Sequence, residues 1–195
     1  MRIVFCGVGA LGSHTAVLCR NLDATMVFID FDRVESKNLL AQAYVKQSMG
    51  KNKAEALKAQ LLNLHGVKAE AFGVKLTSQN VEALCGSAEL IVDCFDNAAS
   101  RRLVSEHCRA KGQALLHAAV SGDGTFGLIR WDERFVPDVE DVAGQATCEG
   151  GEHLPLLGLL CATLARTIQD FVKGGVRRDS MVSLAAVTPT SSGSS

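Results

Sequence analysis

Residues 2–12 read RIVFCGVGALG, a short apolar run that breaks into Gly7, Gly9 and Gly12 at the spacing GxGxxG. Arg2 to Cys6 is predicted as a strand. Ser13 to Asn21, where apolar residues return at helical spacing, is predicted as the helix beyond it. A glycine turn between strand and helix aims backbone N–H groups at a phosphate chain, together with the positive helix end, equivalent to about half an elementary charge. Close packing of helix on strand would by itself also ask for glycine there.

Outward from this unit, a second strand at Thr25 to Asp30 ends on a carboxylate that can accept from the two hydroxyls of a ribose, which suits NAD and ATP equally. Gly50 to Leu64 reads as an amphipathic helix stopped by Gly66, and Val67 to Val74 as a third strand. A helix at Leu76 to Leu84, a buried strand at Glu89 to Phe95 and a helix at Ala99 to Lys111 follow. Gln113 to Val120 and Thr125 to Trp131 form a predicted hairpin about the turn of residues 121–124. A polar loop from Asp132 to Gly151 leads to a helix with Pro155 in its first turn, which runs to about Val172 and stops at Gly174 and Gly175. The expected fold is α/β, a Rossmann-like three-layer domain with a mostly parallel sheet and a C-terminal antiparallel portion. Residues 1–175 form the nucleotide-binding domain, 176–187 an extension with a possible strand, and 188–195 a disordered tail.

A chain of 195 residues suits one domain, since it can bury roughly 70% of its unfolded surface around one core. A net charge of -1 offers no bulk attraction to nucleic acid or to an acidic membrane. The seven cysteines are odd in number, lack CxxC spacing and sit mostly in apolar runs, which points to a reducing cytoplasmic setting. The apolar stretch from Leu154 to Ala165 is short of the about 20 residues that a bilayer needs, so no membrane span is expected. His14, His65, His107, His117 and His153 show no paired spacing and read as structural.

The segment Asp30-Phe31-Asp32-Arg33-Val34-Glu35, followed by Asn38-Leu39, Gln42, Gly50 and Lys53-Ala54, is absent from ordinary dehydrogenases. With Asp93-Cys94-Phe95-Asp96-Asn97, Arg101, and Cys148 ahead of the last helix, it resembles the ThiF/MoeB and ubiquitin-activating enzyme superfamily. The resemblance extends from Arg2 to about Gly175 and implies an ATP-dependent adenylyltransferase. Its partner would be a ubiquitin-like or sulfur-carrier protein with a C-terminal glycine, and the assembly a homodimer or heterodimer. It also implies that Lys53 contacts the phosphates, that Asp96 supports magnesium and ATP with Asn97 beside it, and that Cys148 takes part in thiol chemistry with the activated carrier. Joining two anions requires such positive groups, because repulsion must be screened and charge on the departing pyrophosphate neutralised.

Asn38 and Gln42, four residues apart, can turn two amides from one helical face toward adenosine or phosphate, and Asp32 can support the ribose or its own loop. Glu149 and Glu152 near Cys148 would raise the pKa of its thiol rather than lower it. Two departures stand out: Ala41 precedes Gln42 where the family usually has arginine, and the chain begins at its first strand, without the helix that in many relatives brings another arginine across a dimer. Paired CxxC motifs are missing, so no structural zinc is expected. Two other functions fit the sequence: a non-catalytic partner subunit or scaffold, favoured by Ala41, and an NAD-binding oxidoreductase resting on the glycine turn and Asp30 alone.

Overall fold

The computed structural model of the chain describes residues 1–136 and 153–186. Its elements, in chain order, are β1 (Arg2–Cys6), α1 (Ala10–Leu18), β2 (Thr25–Ile29), α2 (Lys53–His65), β3 (Ala69–Phe72), α3 (Val81–Cys85), β4 (Leu90–Asp93), α4 (Ala98–Lys111), β5 (Leu115–Val120), β6 (Phe126–Trp131), α5 (Leu154–Gly174) and β7 (Ser180–Ser183). The described strands form one sheet in the order β3-β2-β1-β4-β5-β6-β7. β1 to β5 run parallel, and β6 and β7 are antiparallel additions. The fold is therefore α/β with a Rossmann-like sheet and an antiparallel C-terminal part, as the order of elements predicts.

Two-residue alternation divides the core. Ile3 and Phe5 of β1 face a layer that contains Ala16, Leu57, Leu61, Leu160 and Leu164 from α1, α2 and α5. Val4 and Cys6 face the opposite layer, with Val81, Cys85, Val104 and Cys108 from α3 and α4. Both faces of the central strands β1, β2 and β4 are buried, which explains their apolar runs, while the edge strand β3 is half-buried and carries Glu70. Phe5 and Phe28 are fully buried with ring centroids 5.9 Å apart, and burying each contributes about 1.5–3 kcal/mol.

Several boundaries differ from expectation for local reasons. α1 starts at Ala10, directly on the N-cap Gly9, so Ala10 and Leu11, both buried in the core, belong to the helix rather than to the turn before it. α2 starts at Lys53 rather than Gly50: Gly50 adopts φ +77°, and the Asn52 side chain caps the helix by accepting from the Glu55 N–H at 3.1 Å. Asn80 accepts from the Thr77 N–H at 2.8 Å and donates to the Lys75 carbonyl at 3.0 Å, so the chain ahead of α3 is a turn and the helix is reduced to Val81–Cys85. α5 spans 21 residues and is by length and composition sufficient to cross a bilayer, longer than the stretch from Leu154 to Ala165 suggested. It buries Leu156, Leu157, Leu160, Leu164 and Ile168 in the core and packs on α1, β6 and β7.

Candidate functional site

The chain leaves β1 toward β2 on one side and later returns to β4 on the other, which opens a crevice beyond the C-terminal ends of these strands. The glycine turn lies at its floor. Gly7 has φ +84°, and an added Cβ would stand 3.1 Å from the Cys94 carbonyl oxygen and 3.2 Å from the Phe95 ring. A Cβ on Gly12 would stand 2.1 Å from the Gly7 carbonyl oxygen, an overlap that backbone cannot relieve. Gly9 differs from both, because the nearest atom to a Cβ there is Gln42 Nε2 at 4.0 Å. Two of the glycines are thus required by the chain's own packing, and the third is not.

Asp30 follows β2 and is buried, with Oδ2 accepting from the Val8 N–H at 2.9 Å and Oδ1 from the Asp32 N–H at 2.9 Å. Burial pushes its carboxyl above the ordinary value, against the opposing pull of those two N–H groups and of Lys53. Lys53 is 7% exposed, and its Nζ lies 3.1 Å from Asp32 Oδ2, whose side chain is half exposed. As the first residue of α2, Lys53 sets a cation at the positive pole of its own helix, an arrangement disfavoured by about 0.3–1 kcal/mol unless anions join it. The Tyr44 hydroxyl donates to the Val8 carbonyl at 2.6 Å, and Asn52 Nδ2 donates to the Asp30 carbonyl at 2.8 Å, so both brace this wall. Gln42 faces Gly9 and has a buried Oε1 without a hydrogen-bond partner among the described residues.

The opposite wall is the turn after β4. Asp93 is fully buried, and its Oδ1 accepts from the Phe95 N–H at 3.0 Å. Asp96 is exposed, with Asn97 Nδ2 3.5 Å from its Oδ1. Arg101 donates to the carbonyls of Phe95 and Ala118 and brings its Nη1 to 3.7 Å from Asp93 Oδ2. Behind the turn, His117 lies between Asp93 and Asp132, and Asp132 is held in turn by Ser105 and Arg109.

The fold therefore gathers Gly7, Gly9, Gly12, Asp30, Asp32, Gln42 and Lys53 around the glycine turn and sets Asp96 and Asn97 on the turn that packs against it. Asn38 is 3% exposed, with Oδ1 accepting from the Glu35 N–H at 2.9 Å. That bond caps the short 3-10 turn at Ser36–Leu39 and occupies the oxygen of its amide. Asn97 likewise caps α4 by accepting from the Ser100 N–H at 2.9 Å, leaving its Nδ2 toward Asp96. Cys148 lies outside the described residues. Sequence reading assigned no role to Tyr44, Asn52, His117 or Asp132. Only Asn52 carried a local signal, an N-cap residue immediately before a helix.

A parallel sheet with a glycine turn at its switch point and an acid closing the adjacent strand defines a Rossmann-type domain of the kind that holds phosphate-bearing ligands. The chain belongs to the ThiF family, whose model matches residues 1–141. It is 26% identical over 95% of its length to an adenylyltransferase and sulfurtransferase UBA4 from Lodderomyces elongisporus, 43% of which is covered. Over 61% of its length it is 30% identical to the SAMP-activating enzyme E1 of Haloferax volcanii, with 45% of that protein covered. A sulfur carrier protein adenylyltransferase from Thermus thermophilus shares 34% identity over 47% of this chain and 35% of its own length. This chain thus spans less than half the length of these relatives. Among solved structures, PaaA superposes with TM-score 0.73 at 18% identity, covering 94% of this chain and 60% of that one. E. coli MccB with ATP does so with TM-score 0.71 at 18% identity, covering 90% and 57%.

Proposed function

We propose that the chain binds ATP across the glycine turn and adenylates the C-terminal glycine carboxylate of a ubiquitin-like or sulfur-carrier protein. The carrying observation is the difference among the three glycines: Gly7 and Gly12 are demanded by internal packing, while the space over Gly9 is open and suits the close approach of a phosphate chain to backbone. In this reading Asp30 holds the ribose hydroxyls, Gln42 Oε1 takes a donor from the nucleoside, and Lys53 with the start of α1 meets the phosphates. The carrier's carboxylate oxygen attacks the α-phosphorus, the bond to the β-phosphate oxygen breaks, and an acyl adenylate and pyrophosphate result.

Asp96 would hold magnesium, for which an exposed carboxylate oxygen is a suitable hard donor. Magnesium bound with ATP would supply neutralisation of charge on the departing pyrophosphate. The relatives named as adenylyltransferases support this reading, and so does the name of the SAMP-activating enzyme. It includes a cytoplasmic setting and a dimer, with Cys148 as the acceptor thiol for the activated carrier. ATP–pyrophosphate exchange in the presence of candidate carriers tests it, alongside calorimetric titration with ATP and with NAD. Exchange with one carrier is the expected result, and tight NAD binding without ATP binding would overturn it.

A second reading, that the chain is one half of a heterodimer whose partner completes the site, is favoured by Ala41. That residue is 1% exposed, and its carbonyl oxygen lies 3.2 Å from His14 Nε2. Alanine carries no charge, so the positive group that the family resemblance implies at this position would come from another chain. Turnover only after mixing with a second family member would select this reading.

A further inference from the structure

β4 and β5 pair in parallel with Asp93 opposite His117, and this register starts a line of buried charge. His117 is 1% exposed, with Nδ1 2.7 Å from Asp93 Oδ2 and Nε2 3.0 Å from Asp132 Oδ1. Asp132 also accepts from Ser105 Oγ at 2.5 Å and from Arg109 Nε at 2.6 Å. Phe135 stacks on the imidazole with ring centroids 3.9 Å apart, and its carbonyl accepts from Arg109 Nη2 at 3.0 Å. At the inner end, the two oxygens of Asp93 meet different groups, His117 on one and the Phe95 N–H on the other. Arg101, its side chain 11% exposed, holds the turn through the Phe95 carbonyl and brings Nη1 to 3.7 Å from Asp93 Oδ2.

Burying ions costs several kcal/mol each in lost hydration, and apolar residues of similar volume often serve a core as well or better. A line of this kind is thus poorly explained by stability alone. What it does achieve is geometric: the carboxylate that shapes the turn at residues 94–97 cannot rotate without breaking its bond to His117, and His117 cannot move without leaving Asp132. We propose that His117, held between Asp93 and Asp132, is a positioning residue for the Asp96–Asn97 turn and ties it to the segment that follows β6. The proposal deepens the nucleotide reading above and rests on it for its effect on ligand. Its effect on the turn stands independently.

The test compares the unsubstituted chain with His117→Gln, which can fill only one of the two carboxylate contacts, and with the milder Arg109→Gln, which releases Asp132 from a half-exposed side chain. Amide hydrogen exchange at Phe95, whose acceptor is Asp93, should accelerate by about fivefold or more in His117→Gln and by less in Arg109→Gln. Exchange at Val8, whose acceptor is Asp30, should stay within about twofold. ATP with magnesium should bind about fivefold or more weakly, while AMP, lacking the outer phosphates, should change by less than about twofold. Equal acceleration at both amides, no change at Phe95, or equal weakening of ATP and AMP would overturn the proposal. If His117→Gln does not fold, Arg109→Gln decides on the same readouts. An unsubstituted chain that binds neither nucleotide would refute the nucleotide reading, while the Phe95 exchange still decides the coupling.

Discussion

On the β2 side of the crevice Lys53 and Asp32 meet at the rim, where the Asp32 side chain is 50% exposed, whereas on the β5 side Asp93 and His117 meet with side chains 0% and 1% exposed. Water reaches the Asp32 carboxylate but little of Lys53, whose side chain is 9% exposed, so the carboxylate can turn back to solvent while the ammonium still needs an anion. An arriving phosphate can take Lys53 from Asp32 at little expense. Asp93 and His117 are closed off from solvent, so loosening them leaves Asp93 Oδ2 with Arg101 Nη1 at 3.7 Å and no water to replace the lost bond. One wall is arranged to exchange partners and the other to stay still, which fits the proposed binding of a nucleotide between them.

The walls also titrate in opposite senses. Burial raises the Asp30 carboxyl, so its contribution to stability is complete below its unfolded value, and is lost as pH rises through the higher folded one. For Asp132 burial also pushes upward, but hydrogen bonds from Arg109, Ser105 and His117 together outweigh it and hold the carboxyl below its ordinary value of 3.8. Its contribution is present above that value and is lost as pH falls through the lower folded one.

Four substitutions would break or sharpen this contrast. Gly12→Ala should have the largest effect, about 3 kcal/mol or more in denaturant unfolding, since its Cβ would overlap the Gly7 carbonyl. Next, Lys53→Met should weaken ATP binding about 30-fold by calorimetry, with a far smaller change in unfolding free energy. An unchanged affinity would show that the rim ammonium does not meet the ligand. Gly9→Ala should come third, with ATP binding about tenfold weaker; its unfolding free energy, measured in parallel, should move much less than that of Gly12→Ala. Equal destabilisation by the two alanines would remove the distinction drawn among the glycines. Arg109→Gln should be smallest, costing about 0.5–1 kcal/mol at neutral pH because the guanidinium is half exposed. That deficit should narrow as pH falls below 3.8, as followed by thermal unfolding from neutral to acid pH.

The β1, turn and α1 unit was legible because its signal is local: an apolar run, three glycines at fixed spacing, then helical periodicity. Asp30 was legible for a similar reason, since it closes a strand whose pattern can be read without its neighbours, whereas Lys53 was singled out by the family resemblance and lay inside a helix expected to start at Gly50. The local caps made by the Asn38 and Asn97 side-chain oxygens were not legible, because a free amide and a capping amide look alike in sequence and only the backbone around them decides which one is made. His117 was read as an ordinary structural histidine, and nothing within its own segment indicates otherwise. Its partners stand 24 and 15 positions away along the chain.

From its own order of residues this chain settles the alternation of strands and helices, the glycine turn and the acid that closes β2, because these depend on short-range periodicity and backbone sterics. Folding in three dimensions decides which glycine faces outward, which amides are spent on helix ends, and that Asp93, His117 and Asp132 form one line. Those outcomes depend on strand register and on the removal of water from charged groups, and neither exists until distant segments have packed together.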